Sequence, residues 1–211
     1  MKKRYFFTMI LLCLAHFKSY AQAQILYKKI DTTQLYLTVY PSSIKESTNI
    51  SPAMVFFFSG GWNSGTGKQF EPQALYFRQR GMVCILVDYR VKEKHKITPF
   101  ESLKDAKSAI RYIRSHANEL LIDPSKIIAA GGSAGGHLAA STALLNDYDD
   151  QSEINSPYDS KPNALILFNP GLNTKSEPWI NNEQAQKRIG TKDYYSVSPY
   201  HNVKKGVVPT I

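Results

Sequence analysis

The sequence predicts an α/β fold with a mostly parallel sheet, and three observations carry that expectation. Short apolar runs recur at residues 53–58 (AMVFFF), 82–87 (MVCILV), 126–130 (KIIAA) and 164–168 (ALILF). Runs that are apolar throughout fit strands covered on both faces. Helical stretches separate these runs, so strand and helix alternate. Residues 34–40 (QLYLTVY) instead alternate apolar and polar, as a half-buried antiparallel strand at a sheet edge does. A chain of 211 residues has room for one domain with a sizeable core. Thirteen Tyr and ten Phe exclude a disordered chain.

The N-terminus reads as a secretory signal peptide over residues 1–21. Lys2-Lys3-Arg4 is a basic start, and residues 6–15 form an apolar stretch too short to span a bilayer. Ser19-Tyr20-Ala21 offers small residues for cleavage, with Ala21-Gln22-Ala23 as a second choice. The expected location is therefore secreted or periplasmic, with no stable membrane anchor. Removing this segment takes the charge from +9 to about +5. That excess is modest and unclustered, so no nucleic-acid partner is expected. It also leaves Cys84 without a disulfide partner, in an apolar strand where it reads as a small buried hydrophobe. We divide the remainder into an N-terminal edge-strand segment (22–49) and a domain over 50–211.

Residues 53–58 run into Ser59-Gly60-Gly61-Trp62, a glycine-rich turn. A helix is expected over 72–79, then the strand 82–87. Thr98-Pro99-Phe100-Glu101 is a capping box with proline at the first helical position. Leu103, Ala106, Ile110, Ile113 and Ala117 follow at spacings of three and four and give that helix one apolar face. Asp123-Pro124 breaks the chain before the strand 126–130. Residues 146–162 are loop, and 171–198 are irregular with a possible short helix near 183–188. Residues 207–211 begin another strand.

The central stretch is 126–145, KIIAAGGSAGGHLAASTALL: strand, glycine-rich corner, apolar helix. At the corner, Gly131-Gly132-Ser133-Ala134-Gly135 matches G-x-S-x-G. A serine attacks a carbonyl if it is exposed beside donors that receive the oxyanion, and a strand turning sharply into a helix holds it so. Gly131 and Gly135 let strand and helix pass closely. The helix start aims N–H groups at the developing charge. The competing reading is a turn whose serine only caps the helix. Ser59-Gly60-Gly61-Trp62, a second glycine turn after a buried strand, is placed to supply further oxyanion donors.

Taken together, FFFSGGWNSG (56–65), GMVCILVDYRVKEKH (81–95), TPFESLKDAKSAIRYIR (98–114), IDPSKIIAAGGSAGGHLAA (122–140) and SPYHNV (198–203) resemble the α/β-hydrolases, in the hormone-sensitive-lipase-like and bacterial acetylxylan/feruloyl esterase-like branch. The resemblance implies a three-layer sandwich and a serine carboxylesterase acting on small acyl esters, such as acetyl groups on polysaccharide. It implies Ser133 as nucleophile, with the N–H groups of Gly60, Gly61 and Ala134 as oxyanion hole. It places Trp62 and His95 on the substrate side as weaker candidates. Many relatives carry His-Gly-Gly-Gly where this chain has Phe58-Ser59-Gly60-Gly61, so the first turn of the hole departs from the pattern. No metal constellation or cofactor motif is present in the sequence, and the P-loop Lys-Ser/Thr pair is absent after Gly131.

In this fold the triad runs Ser, acid, His along the chain. His95 and His116 precede Ser133. His137 lies one helical turn after it, where packing is expected, and His201 follows Asp193 too closely to leave room for a helix and a strand. Residues 207–211 resemble the start of the strand that leads to the catalytic Asp. The expectation is therefore a C-terminally incomplete domain, lacking the acid and the base, poorly stable and nearly inactive at 211 residues. Two alternatives stand beside the esterase: a prolyl-oligopeptidase-type serine peptidase, and a non-catalytic binder of acylated glycan.

Overall fold

The computed structural model describes residues 22–44, 50–174 and 195–211, together with Glu183, Gln186 and Lys187. The expected signal peptide and most of the expected helix near 183–188 lie outside the described residues. The strands are β1 (Ala23–Ile30), β2 (Thr33–Tyr40), β3 (Ser51–Phe57), β4 (Val83–Val87), β5 (Ile122–Gly132) and β6 (Ala164–Phe168). The helices are α1 (Glu71–Arg78), the single turn α2 (Lys92–His95), α3 (Pro99–Ser115) and α4 (Ala134–Leu144).

The strands form one sheet in the order β1-β2-β4-β3-β5-β6. β1 and β2 form an antiparallel hairpin, and β2 runs antiparallel to β4. β4, β3, β5 and β6 are parallel. The alternation of side chains in β3 and β4 builds two cores. Ala53, Val55, Phe57, Val83, Ile85 and Val87 join α3 and α4 on one face. Met54, Phe56, Cys84 and Leu86 join Ala74 of α1 on the other. The result is helix, sheet, helix in three layers, the mostly parallel α/β sandwich expected. Cys84 is fully buried, and its burial pushes the thiol up to about 12.

α3 begins as expected. The Thr98 N–H and hydroxyl both donate to Glu101 Oε2, at 3.0 and 2.6 Å, and Pro99 occupies the first turn. Leu103, Ala106, Ile110, Ile113 and Ala117 are all buried. α4 is buried on every side from Ala134 to Ala143, as an apolar helix without a polar face must be.

Three expectations are corrected. The strand near 34–40 is not at the edge: β1 pairs outside it. The central strand starts at Ile122, and Asp123-Pro124 forms an excursion within it rather than a break before it. Ser51 pairs with Ile122 and Ala53 with Ile127, so six residues of β5 face three of β3 there. Asp123 Oδ1 accepts from the Ser125 N–H at 2.9 Å and its hydroxyl at 2.6 Å, closing that excursion as a small turn. Finally, β6 is not buried on both faces. Leu165 is buried, but Phe168 is 39% exposed. Beyond β5, its described neighbour is a single parallel bridge to Thr210, where Leu165 N–H donates to Pro209 O at 2.9 Å.

Candidate active site

The parallel strands end in register. Val87, Phe57 and Gly131 form one row across β4, β3 and β5, and Phe168 pairs with Gly132. The glycine turn, the G-x-S-x-G corner and Asp88 all lie just beyond that row, at the carboxyl edge where such sheets hold ligands.

Ser133 is exposed between buried neighbours on both sides. Its φ of 49° and ψ of −114° are strained for a residue with a side chain. The main chain fixes that conformation. Ser133 N–H donates to Phe168 O at 3.1 Å, and Ser133 O accepts from Gly171 at 3.2 Å and His137 at 3.0 Å. A Cβ on Gly131 would come within 2.3 Å of Gly135 O, and one on Gly135 within 2.0 Å of Phe57 O. Both positions therefore require glycine because of close backbone approach.

The other half of the site follows β3. Gly60 has φ 112°, Gly61 61° and Trp62 56°, so three successive residues take left-handed conformations. Asn63 and Ser64 N–H close on Gly60 O at 3.0 and 3.3 Å. Among the described residues, the N–H groups of Gly60, Gly61 and Ala134 have no hydrogen-bond partner, the state an oxyanion hole requires before substrate enters. Two contacts tie this loop to its surroundings, and sequence reading missed both. Ser59 Oγ donates to Gly132 O at 2.9 Å, one residue before Ser133. Tyr89 OH donates to Phe58 O at 2.6 Å while its ring stacks on Phe58 at 3.9 Å. Ser59 replaces a glycine of the more common pattern, and that departure was its visible signal.

Trp62, a weak substrate candidate, is 2% exposed and meets the His137 ring edge-on at 5.0 Å, so its ring lies in the core behind the loop. His95, the other weak substrate candidate, ends the helical turn α2. Val91 N–H lies 2.9 Å and Val91 O 3.2 Å from its Nδ1, so the ring is tied to Val91 in either tautomer, and burial lowers its pKa. α2 itself is bonded to the glycine loop, through Lys92 N–H to Trp62 O and Glu93 N–H to Asn63 O, both at 2.9 Å.

The described histidines are committed elsewhere. His137 is buried, donates Nε2–H to Val197 O at 2.7 Å, and burial lowers its pKa to about 4. His116 stacks on Tyr112 at 3.9 Å and bonds Ser115 and Tyr112. His201 Nδ1 bonds Ser198 Oγ at 2.8 Å. Among the described residues, none of them is bonded to Ser133 Oγ.

Sheet, G-x-S-x-G corner and glycine loop together define a hormone-sensitive-lipase-like α/β-hydrolase. Within that class the chain belongs to the BD-FAE family, whose profile matches residues 37–211. Esterase LipC of Mycobacterium tuberculosis is 32% identical over 122 residues, covering 56% of this chain and 30% of LipC. Endo-1,4-beta-xylanase B of Butyrivibrio fibrisolvens is 29% identical over 125 residues, covering 57% of this chain and 19% of that protein. The esterase Est2 of Thermogutta terrifontis, solved with propionate bound, is 43% identical with a TM-score of 0.79, covering 90% of this chain and 70% of that one. The chain thus spans under a third of the two curated relatives and about two thirds of Est2.

Proposed function

We propose that this protein is a serine carboxylesterase that removes small acyl groups, such as acetyl, from carbohydrate. The observation that carries the reading is Ser133: an exposed hydroxyl held at φ 49° among buried residues. Ser133 Oγ attacks the ester carbonyl carbon. The N–H groups of Gly60, Gly61 and Ala134 receive the oxyanion, each such donor being worth about 10²–10³ in rate. The alcohol leaves, and water then releases the acid from Oγ. The propionate held by Est2 supports a small acyl group, and the likeness to a xylanase supports a carbohydrate alcohol. The leader Lys2-Lys3-Arg4 with its apolar stretch supports export to a secreted or periplasmic location.

A base must take the Ser133 proton, and the described histidines are engaged elsewhere. We therefore place the turnover of the 211-residue chain well below the ~10 s⁻¹ of a median enzyme. Corner and hole alone retain about 10³–10⁴ over water in hydrolases stripped of their triad. The engaged histidines also favour a second reading, a binder of acylated glycan without catalysis.

Fluorophosphonate labelling of the exported protein, read by intact mass, tests both. The expected result is slow labelling at Ser133, none in Ser133→Ala, and a mass set by cleavage after Ala21 or Ala23. Absence of labelling in the wild-type chain leaves only the binder. Ordinary turnover of 4-nitrophenyl acetate by the 211-residue chain, lost in Ser133→Ala, overturns the low-activity claim.

A further inference from the structure

On the α1 face of the sheet, over β1, β2 and β4, lies a recess of about 280 Å³. Its floor is Leu86 and its walls include Gln24, Thr38, Lys68, Glu71 and Asp88. The pairing explains the placement. Gln24 faces Thr38 across the hairpin, and Thr38 faces Leu86. Asp88 continues the same side of β4 one step past the strand end. Thr66, Gly67 and Lys68 come from the continuation of the glycine loop, and a Cβ on Gly67 would touch Leu86 Cβ at 3.0 Å. One loop therefore lines the recess with its second half and holds Gly60 and Gly61 in its first.

The chemistry of the wall is mixed and open. Glu71 accepts from Tyr40 OH through Oε1 at 2.8 Å, which leaves Oε2 for a ligand. The half-buried carboxylate of Asp88 accepts no hydrogen bond among the described residues. Carboxylates accept from hydroxyls, while the Gln24 amide and the Lys68 ammonium donate to them. Two carboxylates against one ammonium disfavour an anion. The apolar Leu86 beneath hydrogen-bond acceptors and donors suits a neutral polyhydroxyl ligand. The volume is at the lower end for small-molecule sites and matches a ligand of modest size. β4 and β5 lie two strand spacings apart, about 10 Å, so one extended chain could reach from Asp88 to Ser133.

We propose that this recess, lined by Gln24, Thr38, Lys68, Glu71, Leu86 and Asp88, binds a neutral sugar unit of the glycan whose ester Ser133 attacks. The proposal rests on the carbohydrate-esterase reading, and its test does not require turnover. The ¹⁵N-labelled Ser133→Ala chain is titrated with unesterified xylotetraose, mannotetraose and cellotetraose. At least one should shift the amides of Gln24, Thr38, Lys68 and Asp88. Thr38→Trp, which fills the recess from a strand, and Asp88→Ala should each raise Kd about tenfold or more in whichever variant keeps its thermal transition. The proposal is overturned if no tetraose shifts these amides, if shifts map elsewhere, if a folded variant binds as the parent does, or if spermidine binds there in place of sugar. Fluorophosphonate labelling without tetraose binding removes the recess and leaves the hydrolase. Binding without labelling removes the hydrolase and leaves the recess.

Discussion

His137 lies one turn beyond Ser133 and is 3% exposed. Burial lowers its pKa to about 4, against about 6.5 unfolded. Between those values the unfolded chain binds a proton that the folded chain refuses. Stability contributed by the neutral ring is therefore present above pH 6.5 and lost as pH falls toward 4, by roughly 3 kcal/mol in all. His137→Gln should flatten that part of the profile, and urea denaturation of both proteins across pH 4–7 measures the difference. An unchanged slope rejects the buried neutral imidazole. At this scale the sequence was readable where chemistry is local. Ser133, with the glycines at 131 and 135, stands in one short motif. Tyr89 was not readable, because its carbonyl partner lies 31 residues away, and Ser59 stood out only as a departure from the glycine pattern while its partner, 73 residues away, left no local mark.

Among the elements, β3, β4, α3 and α4 were legible because burial imposes a period on sequence. β1 was not, and its register shows why. Leu26 pairs with Tyr36 and Lys28 with Leu35, so Tyr27 is an extra residue that resets the alternation halfway along the strand. The link between β4 and the glycine loop carries the prediction at this scale. Tyr89 is 2% exposed, and burial raises its hydroxyl pKa, so it remains a donor to Phe58 O. Tyr89→Phe removes a buried donor and should cost about 1–3 kcal/mol. It should also slow fluorophosphonate labelling of Ser133 about tenfold or more, since a small displacement of the oxyanion donors is costly. Lost stability with an unchanged labelling rate would make Tyr89 a packing residue only.

Across the molecule, Asp105 of α3 joins distant parts of the chain. Its carboxylate, with 0% of the side chain exposed, bonds Arg90 Nε at 2.7 Å and Lys28 Nζ at 3.0 Å, and Lys28 bridges to Asp150 at 2.8 Å. Edge strand, helix and the loop after α4 thus share one buried centre. Nearby, Lys107 and Arg111 hold Asp149 of the same loop. Asp105→Ala leaves two cations with little solvent and should cost about 3–5 kcal/mol in chemical denaturation. A loss below 1 kcal/mol would mean that water replaces the carboxylate. The mostly parallel sheet follows from alternation of strand and helix, but this centre does not. Its charges are scattered through segments that read as solvated surface, and only the fold brings them together.

The strained turn at Ser133 is held by main-chain atoms of Phe168, Gly171 and His137, and among the described residues its hydroxyl bonds to nothing. A side chain at such a φ costs on the order of 1–3 kcal/mol, and glycine would relieve it. Mutational drift under selection for folding alone would carry position 133 toward glycine. Ser133→Gly should therefore stabilise the chain by about 1–3 kcal/mol in urea denaturation, and no gain over the wild type would mean that the turn stores no strain.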